Sequence, residues 1–188
     1  MSATADILPV NEIFYSLQGE GFHTGTPAIF VRLSGCNLHC DFCDTDHSSF
    51  TPMTIEEIVE RVGTYKATTV ILTGGEPSIH NIAPLVDALH RAGRRVHIET
   101  NGTRPLPQSI DWVTCSPKHG GKVVIPRCDE LKVVYTGQDV EAIAASLPAG
   151  HLFLQPCSGQ NTDKVIDYIL THPRWRLSLQ THKILAIR

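Results

Sequence analysis

The chain has 188 residues, with 16 Lys and Arg against 19 Asp and Glu, and a formal charge of -3. That length suits a single domain, 1–188, able to bury roughly 70% of its unfolded surface without disulfides, and the slight acidity argues against a basic nucleic-acid surface. No apolar run approaches a membrane span and residues 1–10 lack the basic start and apolar middle of a secretion signal. The expectation is therefore a cytoplasmic protein acting on a small molecule, with six cysteines that serve as metal ligands or core residues in a reducing compartment.

In chain order, residues 1–10 read as an unanchored start. Residues 11–17 then lead into the glycine-rich stretch Gln18-Gly19-Glu20-Gly21-Phe22-His23-Thr24-Gly25. Two readings stand for it: a solvated hairpin turn, or a loop whose backbone approaches a heterocycle while Gln18 and Glu20 offer it an amide and a carboxylate. Residues 28–33 form a short apolar run, a buried strand, interrupted by one charge, Arg32. That arginine is either partly exposed or aimed at a carboxylate, which its fork suits.

The strand delivers the chain to Ser34-Gly35-Cys36-Asn37-Leu38-His39-Cys40-Asp41-Phe42-Cys43-Asp44-Thr45, where three cysteines fall within eight residues. Structural zinc is normally closed by four protein ligands, whereas three leave a coordination position open. Soft thiolates from Cys36, Cys40 and Cys43 suit a 4Fe-4S cluster with one iron free of protein ligands. A zinc site completed by His39, His47 or a distant cysteine remains the alternative. Cys115, Cys128 and Cys157 are scattered, as small core residues are.

Thr54-Ile55-Glu56-Glu57 is a capping-box start, followed by one apolar helical face at 55, 58, 59 and 62. A strand at 69–73 runs into Gly74-Gly75-Glu76-Pro77, and a helix is expected over 81–92 with Gly93 as its stop. Further strands are expected at 95–100, 112–114, 130–135, 151–155 and 175–180, with helices at 138–147 and 162–171. The alternation argues for a mostly parallel sheet with crossover connections. A closed eight-unit barrel usually takes about 250 residues, so a partial, open α/β barrel is expected. In such folds ligands sit at the carboxyl ends of the strands. Here that edge collects the three cysteines with Thr73, Gly74, Gly75, Glu76, Glu99, Asn101, Ser116, Lys118 and Gln155.

The spacing Cys-x3-Cys-x2-Cys, with Phe42 before the last cysteine, together with Gly74-Gly75-Glu76-Pro77 at a strand end, resembles the radical S-adenosylmethionine (SAM) superfamily. That resemblance implies a (β/α)6-type core in which the open iron chelates SAM and the reduced cluster cleaves it to a 5′-deoxyadenosyl radical. It implies SAM contacts from Phe42, Cys43, Asp44, Gly75, Glu76, Ser116, Pro117, Lys118 and Gln155. Ser16-Leu17-Gln18-Gly19-Glu20-Gly21, Cys43-Asp44-Thr45, Glu99-Thr100-Asn101-Gly102-Thr103, Ser116-Pro117-Lys118 and Gln180-Thr181-His182-Lys183 further resemble the 7-carboxy-7-deazaguanine synthase family.

That family resemblance implies conversion of 6-carboxy-5,6,7,8-tetrahydropterin to 7-carboxy-7-deazaguanine with loss of ammonia, toward queuosine and other 7-deazapurines. It also implies Mg2+ at Thr45, substrate contacts from Leu17, Gln18, Gly19, Glu20, Arg32, Thr73, His182 and Arg188, an external electron donor such as a flavodoxin, and a homodimer. Where the family commonly ends in a glycine and a terminal proline, this chain has Ala186 and Arg188. Two rivals stay open: a glycyl-radical-enzyme activase, which shares a Gly-Cys-Asn start but would not need the Gln18 to Gly21 stretch, and a non-enzymatic iron-sulfur or zinc binding module.

Overall fold

The computed structural model describes residues 6–43 and 45–188. Its strands are β1 (Ile7–Leu17), β2 (Pro27–Leu33), β3 (Thr51–Thr54), β4 (Thr69–Gly74), β5 (Arg95–Thr100), β6 (Trp112–Cys115), β7 (Cys128–Tyr135), β8 (Ala149–Pro156) and β9 (Trp175–Leu177). The helices are α1 (Ile55–Gly63), α2 (Ala83–Arg91), α3 (Val140–Ser146), α4 (Thr162–Thr171) and α5 (Thr181–Ile184). The strands form one sheet in the order β3-β1-β2-β4-β5-β6-β7-β8-β9. Every pairing from β2 through β9 is parallel, while β1 pairs with β2 and β3 antiparallel. The sheet does not close on itself, as expected of a partial barrel.

The expected unanchored start is overturned for the described residues of that segment. Ile7 to Val10 belong to β1, where they pair with Thr51 to Thr54, and Leu8 and Val10 are buried beside Ile55 and Ile58. Their period-two alternation was the available signal, and the two prolines facing each other at Pro9 and Pro52 masked it, because neither can donate to a ladder. The last strand is shorter than 175–180: β9 ends at Leu177 and the chain turns into α5, a helix the sequence did not suggest. The capping box of α1 forms as expected, with Glu57 N donating to Thr54 Oγ1 at 3.2 Å and Thr54 N donating to Glu57 Oε2 at 2.7 Å.

Period-two alternation in the parallel strands decides what the sheet presents to each side. Ile29, Val31 and Leu33, Val70 and Leu72, and Val96 and Ile98 face α1 and α2 in one core. Leu131 and Val133, with Leu152 and Leu154, share a second core with α3 and α4. Their neighbours in sequence face the opposite, concave side: Phe30 and Arg32, Ile71 and Thr73, His97 and Glu99, Glu130 and Lys132, Phe153 and Gln155. The helices thus bury one apolar half of each strand, which leaves the polar side chains, together with the apolar cluster of Ala28, Phe30 and Ile71, for the concave side.

Candidate active site

The concave side opens into a cavity of about 290 Å³ at the carboxyl ends of the strands. Of the residues singled out from sequence, Leu17, Gln18, Gly19, Glu20, Arg32, Cys36, Cys40, Phe42, Thr45, Thr73, Gly75, Ser116, Lys118, Gln155, His182 and Arg188 line it. Cys43 is exposed beside it, whereas Glu76 and Pro117 do not line the cavity. Asp44 lies outside the described residues.

The cysteine loop is fixed at its base by backbone. Gly75 N donates to Leu33 O at 3.1 Å and Glu76 N to Gly35 O at 2.9 Å, which ties the end of β2 to the end of β4. From the end of β5, the Asn101 amide donates to Asn37 Oδ1 at 3.1 Å, and Asn37 in turn donates to Thr103 Oγ1 at 2.7 Å. The carboxylate of Glu76 is spent inside the protein: it accepts from Ser78 N, the Ser78 and Thr100 hydroxyls and Asn101 N. Any ligand contact in this motif therefore falls to the main chain around Gly75.

The donor set fits an iron-sulfur cluster. Leu38 N lies 3.5 Å from Cys36 Sγ, a hydrogen bond suited to a thiolate, and Gly75, lacking a side chain, leaves room beside Cys36. No three His, Cys, Asp or Glu groups among the described residues converge on a point as ligands of a single ion do. A cluster asks for something else, since it binds each cysteine at a different iron. Next to the loop, Lys118 donates to Ser116 Oγ at 2.6 Å and lies over the Phe42 ring at 5.9 Å. Burial, then the charge of Lys132, pushes its ammonium below the usual lysine range.

The Gln18 to Gly25 stretch is a hairpin connection between β1 and β2 whose first half turns inward, while Phe22, Thr24 and Gly25 stay exposed. Gln18 and Gly19 are buried, and the loop crosses the barrel interior. Gly21 N donates to Ser178 Oγ and Phe22 N to Glu130 Oε2, both at 3.0 Å. At the amino ends of the strands Phe22 stacks on His151 at 4.3 Å and His23 meets Trp112 at 4.5 Å, so the loop closes the floor. From the other end of the chain, the Thr181 N–H and hydroxyl both donate to Gly19 O at 2.9 Å and seat α5 on this loop. Arg188 pairs with Glu12, which also accepts from Arg32 Nε at 2.9 Å.

Sequence reasoning missed Lys132. The residue is only 4% exposed, and its ammonium donates to Glu20 Oε2 at 2.6 Å and Glu99 Oε2 at 2.9 Å. Gln180 donates to Glu20 Oε1 and Gln18 to Glu99 Oε1, each at 3.0 Å. Burial pushes the Glu20 carboxyl up, but Lys132 and the Gln180 hydrogen bond more than offset it and hold Glu20 below the usual range. The available signal was the pair Glu130 and Lys132, two charges at alternate positions of a strand whose Leu131, Val133 and Val134 are apolar.

Glu130 is the opposite case. Its Oε1 is buried without a partner, and burial pushes its carboxyl up to about 7 despite the charge of Lys132. Between pH 4.5 and about 7 the native state keeps this proton while an unfolded chain releases it. Stability therefore falls as pH rises through that window, and the loss is complete above it. Glu130→Gln, which keeps an acceptor for Phe22 N, is expected to be more stable than wild type above pH 7 by about 1–3 kcal/mol. Melting curves at pH 5 and pH 8 check this; a gain that does not grow with pH would refute it.

This open parallel barrel, with a three-cysteine loop after one strand and Gly-Gly-Glu-Pro after the next, defines a radical SAM core. Residues 30–124 match the family model of the radical SAM superfamily. The chain is 64% identical over 179 residues to the 7-carboxy-7-deazaguanine synthase of Bacteroides thetaiotaomicron, covering 95% of this chain and 98% of that one. It is 41% identical over 196 residues to the synthase of the same name from Synechocystis, covering 96% and 93%. The crystal structure of QueE from Escherichia coli superimposes with a TM-score of 0.80 at 33% identity, over 93% of this chain and 94% of that one. The chain belongs to the 7-carboxy-7-deazaguanine synthase family.

Proposed function

We propose that this protein converts 6-carboxy-5,6,7,8-tetrahydropterin to 7-carboxy-7-deazaguanine with loss of ammonia, toward queuosine and other 7-deazapurines. The observation that carries this reading is the single cavity in which the cysteine loop meets the Gln18 to Glu20 loop, Arg32 and the carboxylates of Glu20 and Glu99. Cys36, Cys40 and Cys43 would hold a 4Fe-4S cluster, which together with SAM supplies the hydrogen-abstracting radical. Ser116, Lys118, Gln155 and the main chain at Gly75 line the side where SAM would lie, with Phe42 beside them. Thr45 supplies a hydroxyl oxygen for Mg2+, a hard cation that also takes a substrate carboxylate.

Around the pterin, Gln18, Gly19 and Glu20 face the ring system, with Leu17 at the cavity edge and Thr73 beside the SAM side. Glu12 occupies Arg32 Nε and leaves the two Nη groups for the 6-carboxylate. His182, on α5, and Arg188 cover the cavity from the chain terminus and keep water from the reacting carbon. Exposed Cys43 puts the cluster near the surface, within reach of an external electron donor such as a flavodoxin. Both outer strands, β3 and β9, are uncovered edges, which gives a motive for a homodimer; light scattering at micromolar concentration tests it, and a monomer would reject it. Among the described residues no helix is long and apolar enough to cross a membrane, consistent with a cytoplasmic enzyme.

The test is anaerobic reconstitution with iron and sulfide, then SAM, a strong reductant, Mg2+ and the carboxytetrahydropterin, with products followed by mass spectrometry. Deoxyadenosine without deazaguanine would reject the substrate, and neither product from cluster-replete protein would reject the radical chemistry. Arg32→Ala is expected to raise KM about ten- to hundredfold, the value of a charge-assisted hydrogen bond, with a smaller fall in kcat. Arg32→Lys should recover only part, because an ammonium lacks the planar fork. An unchanged KM in Arg32→Ala would remove Arg32 from the site.

A further inference from the structure

Glu20 and Glu99 come from elements 79 residues apart in sequence, the β1–β2 loop and the end of β5, yet one ammonium bonds both. Two carboxylates sharing a cavity repel, and the ordinary outcome is that one takes up a proton and becomes a donor. Lys132 lies between them and offsets the repulsion. It reaches them from β7, at 2.6 and 2.9 Å, and is more deeply buried than either partner. The remaining oxygens are held by the amides of Gln180 and Gln18. The Gln18 carbonyl is occupied by Glu20 N, and that of Gln180 by Lys183 Nζ.

Each of the four carboxylate oxygens therefore has one bond inside the protein and a second lone pair to spare. With one cation against two anions, the group is rich in acceptors and carries a net negative charge. With two acceptor carboxylates around one ammonium, it matches a ligand edge made of N–H donors better than an edge of carbonyl acceptors.

Building on the functional reading above, we infer that Lys132 is a positioning residue: it fixes Glu20 and Glu99 as a paired acceptor for the donor edge of the pterin, its 2-amino group and adjacent ring N–H. It thereby sets the preference for a 2-amino-4-oxo ring. Lys132 acts through the two glutamates and needs no contact with the substrate itself. Its side chain decides which heterocycle is bound, while Arg32 addresses the carboxylate at the other end.

The test uses the cluster-reconstituted protein and two unreactive probes, 6-carboxypterin and its analogue lacking the 2-amino group, titrated by fluorescence. Wild type should prefer 6-carboxypterin by about tenfold or more, the value of a hydrogen bond to a charged group. In Lys132→Met the affinity for 6-carboxypterin should fall about ten- to hundredfold. The analogue should lose much less, so that the ratio collapses toward one. In turnover KM should rise more than kcat falls, and Lys132→Arg should restore part of the ratio.

Glu99→Gln, which keeps Lys132 and relieves the excess negative charge, should show the same collapse and decides the matter if Lys132→Met fails to fold. A folded Lys132→Met with the wild-type ratio, or Glu99→Gln with that ratio, overturns the inference alone. Wild type that neither binds 6-carboxypterin nor turns over the tetrahydropterin overturns the functional reading, and the inference with it.

Discussion

Glu76→Gln is expected to destabilise the protein by about 3–5 kcal/mol, the range for breaking a buried, fully bonded charge. In a chain of this size that is a fall in Tm on the order of 10 °C. The residue is 1% exposed. Its Oε1 accepts from Ser78 N at 3.0 Å, Ser78 Oγ at 2.6 Å and Thr100 Oγ1 at 2.7 Å, and its Oε2 accepts from Asn101 N at 2.6 Å. An ionised carboxylate only accepts, whereas an amide replaces one acceptor with an NH2. In one orientation that NH2 faces the Asn101 N–H; in the other it faces the Ser78 N–H. Hydroxyls can rotate to accept, but a backbone N–H cannot, so neither orientation avoids donor against donor. Thermal melts of the two proteins check this, and a Tm within 2–3 °C of wild type would show that the motif does not depend on the carboxylate.

Gly75→Ala is expected to leave the sheet folded while breaking the cofactor side of the site. A Cβ there would stand inside contact distance of the Gly35 carbonyl oxygen and 3.0 Å from Cys36 Cβ. Neither can yield cheaply: Gly35 O accepts from Glu76 N, and Leu33 O, just before it, accepts from Gly75 N. Overpacking of this kind costs about 1–3 kcal/mol, and the strain falls on the first cluster cysteine. Iron bound after reconstitution should drop by more than half, and SAM affinity by about five- to thirtyfold, for a loss of about 1–2 kcal/mol. Gly63→Ala, at the end of α1 with open space around its Cβ, is the control and should be neutral or mildly stabilising. Wild-type iron content and SAM affinity in Gly75→Ala would show that the two loops are not held as tightly as their hydrogen bonds imply.

The two predictions concern one motif, and they separate its parts. Glycine gives close approach of two strand ends, and glutamate ties β4 to β5. The carboxylate makes that tie from a place outside the cavity, so the expected SAM contact of this motif falls to its main chain. The half of the cavity proposed for the substrate is assembled differently, from segments near the two ends of the chain: Gly19 receives α5 through Thr181, and Glu12 receives Arg188. Loss of either end would therefore open the same face of the site.

The local chemistry was determined by sequence alone. Three closely spaced cysteines, a Gly-Gly-Glu-Pro after an apolar strand and a capping box before a helix are short-range patterns, and the capping box and the strand-end position of Gly-Gly-Glu-Pro formed where their residues indicated. The alternation of strands and helices likewise implied a parallel sheet whose loops gather at one edge. What the tertiary structure decided was which side of each strand mattered. Arg32 is a lone charge in an apolar run, Glu99 and Lys132 stand among other polar residues of their strands, and a strand in isolation does not say whether its odd or even positions face helices or the barrel interior. That choice is made by burial of Ile29, Val31, Val96, Ile98, Leu131 and Val133 against the helices, which turns the charges inward. Lys132 meets Glu20 and Glu99 only after that choice is made, across long sequence separations that no local pattern records. The fate of Ile7 to Val10 and of α5 was settled in the same way, by partners far along the chain.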